Sequence, residues 1–136
     1  MNDSCLKFST VGTGPAARRI AIRAREGAGP GLFWLGGFKS DMKGTKAEAL
    51  SQWARQNGRA SVRFDYSGHG ESGGDFRDGT IGRWLEETLA VFLGECRGPQ
   101  VVIGSSMGGW IALLLLRELR RLKEPAQASA AGLVLI

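Results

Sequence analysis

Histidine occurs once in this sequence, at position 69, and cysteine twice, at positions 5 and 96. A single imidazole excludes a histidine-rich metal centre. Two distant cysteines without Cys-x-x-Cys spacing indicate neither a zinc site nor a disulfide scaffold. No glycine is followed by Lys-Ser or Lys-Thr in the frame of a phosphate-binding loop. The longest apolar run, Met107 to Leu116, is about ten residues, where about twenty are needed to span a bilayer. The N-terminus, Met1-Asn2-Asp3-Ser4-Cys5-Leu6-Lys7, has an early acid and lacks the apolar core of a signal peptide. These absences lead to the expectation of a cytoplasmic protein with no metal, no cofactor and no membrane span.

What is present fits one globular domain. The chain has 136 residues, 43% of them hydrophobic, which is enough for a real core. Eighteen basic residues against 13 acidic ones give a net charge of +5. The basic residues are scattered, with no run of five and no interleaved aromatics. They read as solvated surface charge, and no nucleic-acid partner is expected.

Strand and helix signals alternate along the chain. Cys5 to Val11 and Arg19 to Ala24 flank the turn Gly12-Thr13-Gly14-Pro15 and predict an antiparallel hairpin. Gly31 to Leu35, Ala60 to Tyr66, Gln100 to Ser105 and Ala131 to Ile136 read as buried strands. Helices are predicted over Lys46 to Asn57, Thr80 to Leu93 and Ser106 to Lys123. Thr45 with Glu48 forms a capping box for the first, and Leu50, Trp53 and Ala54 supply its apolar face. Asn57-Gly58 stops the first helix and Pro125 the third. This alternation implies an α/β fold, a mostly parallel doubly wound sheet behind an antiparallel N-terminal hairpin. The final apolar strand has nothing after it to cover it. The expectation is that the natural domain continues past Ile136, or that this strand mediates self-association.

The chemistry concentrates in Gly104-Ser105-Ser106-Met107-Gly108, between a strand and a helix. A serine flanked two residues away by glycines marks a turn too sharp for side chains at those positions. The turn lifts the hydroxyl of Ser106 clear as a nucleophile. It also sets the Met107 N–H at a helix start, where a developing oxyanion is stabilised. Ser105 is the rival nucleophile, but Ile103 stands where its upstream glycine should be. Gly36-Gly37-Phe38 follows the third strand, and the Phe38 N–H is the candidate second oxyanion donor.

Two motifs are decoys. Gly68-His69-Gly70-Glu71-Ser72-Gly73 matches Gly-x-Gly-x-x-Gly, but a loop rather than a helix follows, so no dinucleotide is expected. Asp65 and His69 both precede Ser106, whereas an α/β triad runs serine, acid, histidine. Asp65 is therefore read as bonding loop backbone, and His69 as non-catalytic.

Three segments carry a family resemblance: Leu32 to Phe38, Arg63 to Ser72, and Val102 to Trp110. Together they resemble the α/β-hydrolase fold serine hydrolases. The wording Gly37-Phe38-Lys39-Ser40-Asp41-Met42 with Gly44-Thr45-Lys46-Ala47 is similar to the acyl-protein thioesterase and acyl-glucuronide esterase group and its bacterial relatives. The resemblance implies hydrolysis of small-molecule or acyl-protein esters or thioesters without a cofactor. Ser106 would be the nucleophile, with Phe38 and Met107 N–H groups as the oxyanion hole. It also implies a triad Asp and His after later strands, both absent here. Residues 1–136 then form the N-terminal part of a single α/β-hydrolase domain, truncated after about the sixth strand and nearly inactive alone. The alternatives are a non-catalytic binding or assembly module, or an acyltransferase or haloperoxidase-like activity on the same fold.

Overall fold

A computed structural model describes residues 4–136; the polar stretch 1–3 read at the N-terminus lies outside the described residues. Among the described residues six strands and three α-helices alternate. Strand β1 (Cys5–Val11) pairs antiparallel with β2 (Arg18–Arg25), in register from Cys5 opposite Ala24 to Val11 opposite Arg18. Then come β3 (Ala28–Leu35), α1 (Thr45–Gln56), β4 (Arg59–Phe64), α2 (Ile81–Glu95), β5 (Gly98–Gly104), α3 (Met107–Arg121) and β6 (Ala128–Leu135). The sheet order is β1-β2-β4-β3-β5-β6, with β4, β3, β5 and β6 parallel and β2 antiparallel to both of its neighbours.

The two faces of the sheet bury different side chains, because successive strand residues point opposite ways. On one face Phe33, Phe64 and Val102 meet Phe92 of α2 and Ile111 and Leu115 of α3. The Phe33 and Phe92 rings contact edge to face, with centroids 5.2 Å apart. Side chains of this size contribute roughly 1.5–3 kcal/mol each when fully buried. On the other face Trp34 and Ile103 pack against Ala47 of α1. Both faces of β3 are thus covered, as its continuous apolar run predicts.

The capping box at α1 does not form. Gly44 is the N-cap, Thr45 is already helical, and no side chain caps this end. The Glu48 carboxylate instead accepts a 2.9 Å bond from the buried Arg63 guanidinium, a charge-assisted partner stronger than a backbone N–H. Trp53 does not belong to the buried face either, being 48% exposed. The helix lies close to the sheet on the small residues Ala47 and Ala54, and Trp53 sits about 100° round from Ala54. Strands β3 and β6 both begin three residues earlier than their apolar runs suggest, since backbone pairing extends past the hydrophobic pattern.

Candidate active site

The parallel strands end at the loops that build the site. Strand β5 closes at Gly104 and α3 opens at Met107, leaving Ser105 and Ser106 to make the turn. A side chain on Gly104 would lie 2.5 Å from the Gly108 carbonyl oxygen, and one on Gly108 would run into the Leu35 carbonyl. Both glycines are therefore required by close backbone approach, as the five-residue motif predicts. Ser106 itself has φ +56° and ψ −119°. A non-glycine residue there costs roughly 1–3 kcal/mol, and such strain persists only where the surroundings impose it. The imposing bonds are Ser105 N–H to the Leu35 carbonyl and Ser106 N–H to the Ile136 carbonyl, each 3.0 Å. Serine at an N-cap ordinarily bonds the first helical turn. Here its hydroxyl makes no such bond and the residue is exposed.

The loop after β3 lies against this turn. The Gly37 backbone approaches the Ser106 side chain closely: a methyl on Gly37 would meet the Ser106 Cβ at 3.6 Å. Ser40 N–H bonds the Gly37 carbonyl at 3.1 Å, closing a turn through Phe38 and Lys39. Lys39 has φ +62° and, with Ser106, is one of two non-glycine residues with positive φ among those described. Among the described residues no acceptor takes the N–H of Phe38 or of Met107. The Phe38 side chain is 53% exposed and its ring meets Phe76 at 5.2 Å.

A second loop, after β4, holds the first from below. Asp65 accepts Met42 N–H at 2.8 Å and Glu71 N–H at 2.9 Å. Burial pushes its carboxyl above the usual carboxylate range, against the pull of those two donors. The Tyr66 hydroxyl donates to the Gly36 carbonyl at 2.9 Å, and burial raises that phenol. His69 Nε2 accepts Lys39 N–H at 3.1 Å, and Nδ1 lies 3.0 Å from the Ser67 carbonyl. The loop is tied to α2 by Glu87, which takes Ser67 N–H on one oxygen and the buried Arg18 guanidinium on the other, both at 2.8 Å.

The structure thus brings the backbones around Ser106, Met107 and Phe38 to one end of the sheet. Asp65 bonds loop backbone, as the sequence predicts. His69 is 4% exposed with both ring nitrogens engaged, and neither reaches Ser106. Sequence reasoning missed Tyr66 and Lys39. Their partners lie about thirty positions away in the chain, and no local spacing signals them.

Comparison with known proteins bears on this arrangement. The family model described as the alpha/beta hydrolase family matches residues 15–136. The human protein named palmitoyl-protein thioesterase ABHD10, mitochondrial, is 38% identical over 99 residues, covering 73% of this chain and 32% of its own length. A crystal structure of an Agrobacterium vitis S4 protein classed as a hydrolase superposes with a TM-score of 0.91 at 47% identity, over 98% of this chain and 52% of that one. The mouse alpha/beta hydrolase domain-containing protein 10 gives 0.80 at 30%, over 95% and 48%. The chain thus spans about a third of the curated relatives it matches and about half of these solved structures. The expectation of a cytoplasmic protein is overturned here: the curated relatives are mitochondrial by name.

Proposed function

This chain belongs to the alpha/beta hydrolase family, and from that premise we propose that it carries the nucleophile and oxyanion hole of a serine hydrolase for carboxylic esters or thioesters. The relatives named palmitoyl-protein thioesterase favour a long-chain acyl thioester on a protein as substrate. The observation that carries the reading is Ser106: exposed, held at φ +56°, and flanked by two glycines whose places no side chain can take.

In this reading the Ser106 hydroxyl gives its proton to a base as Oγ bonds the acyl carbon. The carbonyl oxygen becomes an oxyanion, received by the N–H groups of Phe38 and Met107. Collapse breaks the bond to the leaving alcohol or thiol, which takes the proton. Water then cleaves the acyl-enzyme by the same steps and releases the acid. His69 is committed to the loops and is not that base in this reading.

A fluorophosphonate probe tests the assignment on the full-length protein that contains this chain. The probe should bond Ser106 in the parent and nothing in Ser106→Ala, and that substitution should lower kcat by about a millionfold. Equal labelling of both proteins refutes the assignment.

A further inference from the structure

We propose that His69 is a positioning residue for the oxyanion hole, fixing the Phe38–Lys39 peptide through its Nε2. The proposal rests on the reading of Ser106 and Phe38 given above. The turn Gly37-Phe38-Lys39-Ser40 combines a Ser40 N–H to Gly37 carbonyl bond with a left-handed third residue, Lys39. That is the type II pattern, which ordinarily places glycine where Lys39 stands. The competing type I turn suits lysine better and differs by reversal of the central peptide, the one joining Phe38 to Lys39. The two forms point the Lys39 N–H in opposite directions. Something must therefore pay for the type II form here.

His69 Nε2 accepts the N–H of that same central peptide at 3.1 Å. The acceptor is itself fixed. Nδ1–H donates to the Ser67 carbonyl, which also receives Trp84 Nε1–H at 3.2 Å. These partners assign the tautomer that leaves Nε2 bare as an acceptor. The ring is walled in by Trp84, Phe76 and Tyr66, with centroids 5.2, 5.3 and 5.6 Å away. The Phe38 N–H lies on the peptide one position earlier, which the reversal leaves in place. What the reversal swings to the other face of the loop is the Phe38 carbonyl, a dipole on the same residue as the oxyanion donor, so the field at the oxyanion site changes. The Gly36 end of the loop is held separately by Tyr66, and Met42 by Asp65. Between them the Lys39 N–H bond is the side-chain tie that selects the turn.

The test uses the full-length protein and hydrolysis of p-nitrophenyl butyrate. His69→Leu fills the site but offers no acceptor, and kcat should fall about 10- to 100-fold with KM within threefold. His69→Gln restores an acceptor at the reach of Nε2 and should keep kcat within about threefold of the parent. Where the leucine variant does not fold, His69→Asn serves, since its side chain ends short of Lys39; it should lose kcat as leucine does. Lys39→Gly in the His69→Leu background should recover part of the loss, because glycine takes the left-handed form at no steric cost. A folded leucine or asparagine variant with parental kcat overturns the proposal. So does a glutamine variant as slow as leucine, or a loss confined to KM. Ser106→Ala, run alongside, separates this from failure of the site itself: if that variant remains active, the nucleophile assignment is what has failed.

Discussion

Two of the described residues carry a backbone cost that glycine would not, one on each of the two loops that meet at the candidate site. Ser106 is strained by the elbow, where the glycines leave no other path for the chain. Lys39 is left-handed, its ammonium over the Phe38 and Phe76 rings at 5.8 and 5.5 Å, and the His69 bond to its N–H is what accompanies the backbone cost. Residues with ordinary geometry are protected rather than strained. Cys96 is buried and its thiol is pushed up to about 12 by desolvation, with the Glu95 charge a smaller contribution in the same direction. A thiol in that state carries almost no thiolate at neutral pH and is inert to electrophiles. Iodoacetamide at pH 8 should therefore alkylate the exposed Cys5 and leave Cys96 untouched until denaturant is added, with mass spectrometry of the peptides as readout. Modification of both at equal rates in the native protein would contradict this burial.

At the scale of elements, the glycines of α2 and α3 have opposite meanings. Gly108 lets α3 lie directly against the end of β3, and Gly108→Ala should cost about 3 kcal/mol, at the upper end of overpacking. Gly94 in α2 faces open space, so Gly94→Ala should stabilise the protein by about 0.5–1 kcal/mol through helix propensity. Urea unfolding of both variants checks the pair, and a Gly108→Ala variant as stable as its parent would sink the close-approach account. This contrast explains which elements were readable in the sequence. The elbow was readable because strain, glycines and helix start fall within five residues. The hairpin and the helices were readable from local periodicity. The capping box at Thr45 failed because Glu48 found Arg63, a partner on a strand fifteen positions away. The hold of Tyr66 and His69 on Gly36 and Lys39 was hidden for the same reason: its logic lies in two loops that only the sheet order brings together.

At the scale of the molecule, the sheet has two edges of unequal character. On β1 the apolar Phe8 lies under the Arg19 guanidinium at 4.1 Å, and Lys7 pairs with Glu95, so charge guards that edge. On β6 the backbone pairs with β5 on one side only, and Val134, Leu135 and Ile136 are 44%, 53% and 58% exposed. No charged residue interrupts Ala128–Leu135. An unguarded apolar strand of this kind is a template for pairing with another strand. The 136-residue chain should therefore self-associate through β6. Light scattering after size exclusion should show a mass that climbs above 14.6 kDa as concentration rises. Val134→Lys should return the mass toward the monomer, because a charge on the edge opposes strand addition, while Phe8→Lys on the opposite edge should leave association unchanged. A parent chain that stays at the monomer mass at every concentration would show that β6 is closed to partners by its own twist and side chains. Loss of association in Phe8→Lys instead would move the contact to β1.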